Sequence, residues 1–170
     1  NKRVLEAYKN YLKTLFVMTG NDEATAEKKM QAVLAIETRI AKASYDQVKL
    51  RDINANYHKL SYTQLVADFQ GIDWGNVFLL SGLPAVKEVV VYQPEPLHEV
   101  EKVLAETSLD DLKSYAEARI ITGASSQLSD DFRAEAFKFG SVLSGTKQDR
   151  PRWKRAVSLV SCTLGEAICK

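Results

Sequence analysis

The chain has 170 residues, of which 45% are hydrophobic and 26% charged, an ordinary composition for a globular protein with a buried core. Its 23 basic and 22 acidic residues give a formal net charge of +1, whereas nucleic-acid-binding domains usually carry a marked basic excess. Its apolar runs all fall short of the roughly 18 residues that a membrane-spanning helix needs. Two cysteines exclude a disulfide-dense scaffold. Composition thus excludes these classes and leaves the function open.

The first half of the chain shows helical periodicity with clear starts and stops. Apolar residues recur at helical spacing over about 4–19, and Gly20 ends this first helix. Asn21 or Asp22 can cap a second helix, since side chains of this type accept a hydrogen bond from the backbone of the first turn. A polar stretch over 44–56 follows, with room for one short helix.

The second half continues in the same way. Ser61 and Gln64 form an S-x-x-Q capping box ahead of an apolar run. Residues 88–92 are the one strand-like stretch, with turn residues on both sides. Further helix starts are predicted at Pro94, Ser108, Ser129 and Pro151. The sequence therefore predicts an all-α fold of about seven helices in an irregular bundle, with at most one short strand near 88–92.

A helical pattern of apolar residues begins near the first residue of the chain and continues almost to the last. The first residue is not methionine, and the apolar stripe of the last helix continues almost to Lys170 without a Gly or Asn stop. We expect residues 1–170 to form a single helical domain that is a fragment of a longer chain.

Metal and nucleophile chemistry find weak support in the sequence. His98-Glu99-Val100-Glu101-Lys102 reads H-E-x-x-K, but a zinc peptidase motif needs a second histidine where Lys102 stands. His58 is the one other histidine, and surface or partly buried histidines are the better interpretation. Cys162 and Cys169 lie about 10 Å apart along one helix, too far for a disulfide, so two small buried thiols are expected.

Charged clusters also favour structural interpretations. Basic residues surround Trp153, and a phosphate or nucleic-acid site would use such a patch. Their position in the first turn of a helix is unfavourable to the helix dipole, so packing and ion pairing are preferred. The Arg51-Asp52 pair is interpreted as a buried or partly buried ion pair that holds a connection. We expect Trp153 to be buried and Arg152 or Arg155 to pair with an acid. If Trp153 is fully buried, replacing it with alanine should lower the free energy of unfolding by about 3–5 kcal/mol.

Several motifs occur in an order that resembles the N-terminal portion of the neprilysin family of zinc metallopeptidases, which includes neprilysin, endothelin-converting enzyme and bacterial oligopeptidase O. Each motif is weak alone, and their order and spacing carry the resemblance over roughly residues 8–170. The motifs are Arg51-Asp52 with Tyr57 and Leu60, Trp74 with Phe78, Glu88-Val89-Val90-Val91-Tyr92 with Pro94 and Leu97, Leu109 to Tyr115 with Arg119, Arg152-Trp153-Lys154-Arg155, and Leu164-Gly165-Glu166-Ala167.

The resemblance implies a non-catalytic helical domain. Catalytic domains of this family carry H-E-x-x-H, a downstream zinc-binding glutamate and a substrate-binding strand, which this chain lacks. The matching part is the helical lid that limits access of oligopeptides to the active-site cavity. The resemblance implies that the parent protein binds zinc and hydrolyses peptides, whereas this segment alone has no cofactor and no activity. It implies structural roles for Arg51, Asp52, Trp74, Arg152, Trp153, Arg155 and Gly165.

The resemblance also implies partners and a location. The partners would be the catalytic domain of the same chain and oligopeptide substrates, with no nucleic acid and no membrane-spanning segment in this region. Ala156 stands where many animal members have a cysteine, which favours a bacterial member in the periplasm or cell envelope. Cys169 replaces a usual glycine. The alternative is a stand-alone helical protein-interaction module.

Overall fold

The structure is a computed structural model that describes residues 1–83 and 85–168, without the side chain of Ile168. Within these residues it contains eight α-helices, two strands and a short 3₁₀ turn. The helices are α1 (Lys2–Met18), α2 (Glu23–Ala43), α3 (Tyr62–Asp68), α4 (Trp74–Leu80), α5 (Pro94–Glu106), α6 (Leu109–Ala124), α7 (Asp130–Ser144) and α8 (Arg152–Ile168); the strands are β1 (His58–Ser61) and β2 (Glu88–Val91), and the 3₁₀ turn is Lys49–Arg51.

The helix starts follow from capping chemistry. The Asp22 carboxylate accepts a hydrogen bond from the Thr25 backbone N–H at 2.9 Å, and this bond lowers the pKa of Asp22 below its ordinary value. Ser61 and Gln64 form the predicted capping box at the start of α3. Gly145 ends α7 with a positive φ of 72°, a left-handed conformation that glycine adopts without steric cost.

Helix α1 is the centre of a helical bundle. Its apolar side chains face α2 and α6 on one side and α6 and α7 on the other. Tyr11 stacks on Phe139 of α7, with ring centroids 5.0 Å apart. The bundle core consists of Leu12, Phe16, Ala26, Met30, Val33 and Ala118 in one cluster and Tyr11, Leu15 and Ile121 in a second.

A smaller unit, here called the β lobe, contains β1, β2, α3 and α4. The two strands pair antiparallel, with Leu60 opposite Val89 and His58 opposite Val91. Buried Leu65 of α3 and Phe69, which directly follows α3, pack against Val91 of β2. The β lobe thus has its own apolar cluster beside that of the bundle.

Helix α5 joins the β lobe to the bundle. Its Leu97 packs into the β-lobe cluster, while the helix also lies along α2. Arg39 of α2 clamps this seam, because its guanidinium donates to Glu99 and to Glu106 of α5 at 2.8 Å each. The two carboxylates raise the pKa of Arg39 above its ordinary value.

The predicted all-α class is confirmed, with eight helices in the described residues rather than about seven. The strand-like stretch near 88–92 is β2, and its partner β1 was not predicted. Among the described helices, none is both long and apolar enough to cross a membrane. The single-domain interpretation of residues 1–170 stays a prediction.

Candidate functional site

The H-E-x-x-K stretch lies near the start of α5, where its side chains are engaged in local contacts. The imidazole of His98 lies against the Phe69 ring, with centroids 4.5 Å apart, and its Nδ1 is 3.0 Å from a carboxylate oxygen of Glu101. Glu101 also accepts a hydrogen bond from the Gly71 backbone N–H at 2.7 Å. These contacts hold the loop before α4 against α5.

Glu99 and His58 are engaged as well. Glu99 accepts from Arg39 in the clamp described above, and the Lys102 ammonium lies 3.8 Å from its carboxylate. The Nδ1 of His58 is 3.0 Å from the Val91 carbonyl oxygen across the two-stranded sheet. Both histidines therefore contribute to packing between elements.

The described residues do not fit a zinc site. Structural and catalytic zinc needs three or four converging His, Cys, Asp or Glu ligands. In residues 1–83 and 85–168 no three such side chains converge in a way that could hold a metal ion.

The predicted ion pair between Arg51 and Asp52 is wrong. Both side chains are exposed on the connection that leads to β1. Asp52 accepts a hydrogen bond from the Ala55 backbone N–H at 2.9 Å, which stabilises a local turn. Adjacent residues in an extended or turning backbone point in different directions, so their order in the sequence does not bring their charges together.

Trp74 occupies the junction between α3 and α4. Its indole N–H donates to the Phe69 carbonyl oxygen at 3.0 Å, and its ring lies 5.9 Å from that of Phe78. The side chain is half-buried in the β-lobe cluster. This position is compatible with the structural role expected for Trp74, which stays a prediction.

A charged cluster, here called the Asp149 cluster, ties α7 to the start of α8. One carboxylate oxygen of Asp149 accepts from Arg133 of α7 at 2.6 Å and from Arg155 of α8 at 3.3 Å. Arg155 also donates to the Arg150 carbonyl oxygen. The expectation that Arg152 or Arg155 pairs with an acid is confirmed for Arg155.

Replacing Asp149 with asparagine is expected to loosen the start of α8. The two guanidinium groups would keep their positive charges and lose the carboxylate between them, which leaves two like charges close together. Amide hydrogen exchange over residues 146–158 should become faster than in the unchanged chain. Asp131→Asn, which removes the same charge from the first turn of α7, is the control and should leave exchange in that segment unchanged; equal exchange in the two variants would contradict the role of the cluster.

Trp153 is not buried in this structure. Its side chain is 64% exposed, with the Lys154 ammonium 5.4 Å from the ring centroid. The prediction that neighbouring helices bury Trp153 is therefore wrong for the described part of the chain. Arg152 is exposed beside it, and a Cβ added at Gly165 would meet no atom within 4 Å, so among the described residues neither shows a packing constraint.

Alanine at position 153 is expected to change the free energy of unfolding of this chain by less than about 0.5 kcal/mol, as is usual for exposed positions. Urea unfolding of the 170-residue chain, followed by circular dichroism, measures this difference. A loss of about 3 kcal/mol or more would show that the indole is buried after all.

Cys162 is exposed, so the prediction of a small buried thiol is wrong for this residue. Cys169 lies outside the described residues. Cys162 lies on the side of α8 opposite Trp153, by the helical rotation of about 100° per residue.

Comparison with known proteins decides the family. A model of the N-terminal part of a family described as peptidase family M13 matches residues 1–170 of this chain. This chain belongs to peptidase family M13. It is the N-terminal domain of these zinc metallopeptidases, the neprilysin family that the sequence motifs resemble.

Relatives in this family are much longer than the chain. Endothelin-converting enzyme 1 of Rattus norvegicus is 32% identical over 174 residues, which is 99% of this chain and 23% of that enzyme. Neutral endopeptidase of Lactobacillus helveticus is 28% identical over 168 residues, which is 98% of this chain and 26% of that enzyme. The chain thus spans about a quarter of the length of the relatives it matches, and belongs to a larger M13 peptidase chain.

The fold is also found in a solved structure. The zinc metalloprotease Zmp1 of Mycobacterium tuberculosis in its open state superposes with a TM-score of 0.91 and 34% identity, over 98% of this chain and 26% of that one. The arrangement of helices described above is therefore that of the M13 N-terminal region.

Sequence reasoning missed the residues that join the elements. Arg39 clamps α2 to α5, and Asp149 with Arg133 connects α7 to α8. The partners of Arg39 lie 60 and 67 residues away, and a single sequence carries no signal for such a distant pair.

Proposed function

We propose that this chain is a non-catalytic helical lid of a larger zinc metalloendopeptidase, which limits the access of oligopeptides to the active-site cavity. The parent protein hydrolyses peptide bonds of short peptides, with zinc held by residues outside this chain. The catalytic part of the same chain and its oligopeptide substrates are the partners, and an extracytoplasmic location follows the wider family, with the periplasm or cell envelope for a bacterial parent.

The observation that carries the proposal is the match of the whole chain to the N-terminal region of family M13, combined with its engaged polar groups. The histidines and the nearby acid Glu99 are used in contacts between elements. Such a region supplies shape and stiffness rather than reacting groups. Membership over residues 1–170 also weakens the alternative of a stand-alone interaction module.

The bundle supports the role of a wall because partly buried polar contacts connect its helices on several sides. Tyr8 of α1 donates to Glu37 of α2 at 2.9 Å, and burial raises the pKa of this phenol well above its ordinary value. Lys29 of α2 pairs with Glu117 of α6 at 2.6 Å. We propose Trp74 and Arg155 as further structural residues of this wall.

The experiment compares two cation removals in the parent protein, Arg39→Met and Lys102→Met. Arg39 makes two short contacts across the α2–α5 seam, whereas exposed Lys102 lies 3.8 Å from Glu99 within α5. Both variants remove one positive charge from the same cluster, and only the first opens the seam between bundle and β lobe.

The readout is the ratio of kcat/KM for a long peptide to that for a short peptide of the same cleavage sequence. Arg39→Met should raise this ratio, because a looser wall admits larger substrates, while short-peptide hydrolysis stays the same. Lys102→Met should leave the ratio unchanged. A folded Arg39→Met variant with the same kcat/KM for each peptide as the unchanged parent would contradict the proposed lid role.

A further inference from the structure

Helix α8 carries an apolar surface that no other described element covers. We define the α8 stripe as Trp153, Val157, Val160 and Leu164. With a helical rotation of about 100° per residue, these positions fall within roughly 60° of one another on one face. Their side chains are between 43% and 64% exposed.

The stripe faces away from the contacts that attach α8 to the chain. Arg155, which pairs with Asp149, lies about 170° from the centre of the stripe by the same rotation. Across the described residues, α8 shares no extended packing seam with another helix or strand. The helix is therefore attached near its start and leaves its apolar face free.

A row of four large apolar side chains on one helix face is more than the isolated exposed residues that any soluble protein shows. Contiguous apolar surface of this kind marks an interface. The absence of acidic and basic residues from the four stripe positions makes nucleic acid and charged ligands unsuitable occupants.

The relatives indicate where the occupant comes from. This chain accounts for 23% of endothelin-converting enzyme 1 and 26% of Zmp1, so most of a parent chain of this family lies outside it. α8 is the last described element, and consecutive elements of a chain are usually neighbours in space.

We infer that the α8 stripe is the seam on which the part of the parent chain that follows residue 170 packs. That segment buries Trp153, Val157, Val160 and Leu164 and thereby fixes α8 against the rest of the protein. The inference rests on membership in a longer chain and does not depend on the lid.

Cysteine labelling in the parent protein tests this inference. Val157→Cys and Val160→Cys probe the stripe, and Ser158→Cys is the matched control one residue away on an exposed side of the same helix. The background carries Cys162→Ser and Cys169→Ser, and tandem mass spectrometry locates the maleimide adduct. Unchanged peptide hydrolysis and melting temperature show that each variant is folded.

The two stripe cysteines should react about tenfold or more slowly than the control cysteine in the folded parent, because labelling then requires local opening. All three should react equally in urea. Labelling of both stripe positions at the rate of the control would overturn the inference. Protection that disappears on dilution would also overturn it, since a second copy of the protein would then be the occupant.

Discussion

Replacing Phe16 with alanine is expected to lower the free energy of unfolding by about 3–5 kcal/mol. Phe16 is 1% exposed and lies where α1, α2 and α6 meet, among Leu12, Met30 and Ala118. Its removal leaves a cavity at the centre of the bundle that rigid helices cannot close. Since domains are stable by only about 5–15 kcal/mol, this is a large fraction of the total.

Urea unfolding followed by circular dichroism at a helical wavelength measures this effect. Leu80→Ala is the control, because Leu80 on α4 is 87% exposed and should change stability by less than about 0.5 kcal/mol. Equal losses in the two variants would show that the bundle core does not determine the stability of the chain.

The second large effect is expected for Phe69→Ala in the β lobe. Phe69 is 2% exposed and contacts the ring of Trp74 edge-on, with centroids 6.4 Å apart. Its ring also lies against the His98 imidazole, with centroids 4.5 Å apart. A loss of about 3–5 kcal/mol is expected from the lost burial and the cavity.

Tryptophan fluorescence reports this change locally. In a Trp153→Phe background Trp74 is the one remaining tryptophan of the chain, so its emission follows the β lobe. Phe69→Ala should shift this emission to the red and bring its urea midpoint down, while Leu83→Ala, at an exposed position, should do neither. A loss under about 1 kcal/mol with unshifted emission would contradict the role of Phe69 as the centre of this cluster.

The elements that depend on neighbouring residues could be predicted from the sequence. The N-cap at Asp22 and the capping box of Ser61 and Gln64 occur as predicted, because each involves a hydrogen bond between residues three apart. The turn at Gly145 likewise follows from a local backbone requirement. Local chemistry is visible in a single sequence.

Elements that depend on distant partners were missed. β1 has four residues, with Lys59 and Ser61 among them, and such a segment becomes a strand through its pairing with β2. Trp153 was predicted to be buried because the basic cluster around it was interpreted as packing against another element. Within the described residues no other helix or strand packs along the α8 stripe to which it belongs.

The predictions about individual site residues divide in the same way. Arg155 has an acidic partner six residues away in the chain, within the local cluster that the sequence showed. Arg51 and Asp52 were assigned to each other because they are adjacent, and the structure gives Asp52 a backbone partner instead. The family itself was recognisable because its motifs occur in a fixed order along the whole chain.

We propose that this chain gives a peptidase its helical wall and none of its reacting groups. Zinc titration and peptide hydrolysis by the folded 170-residue chain, beside the parent protein, test this most directly. We expect chelator-sensitive hydrolysis by the parent, and neither tight zinc binding nor hydrolysis by the chain alone. Hydrolysis by the purified chain that a chelator abolishes and zinc restores would contradict it.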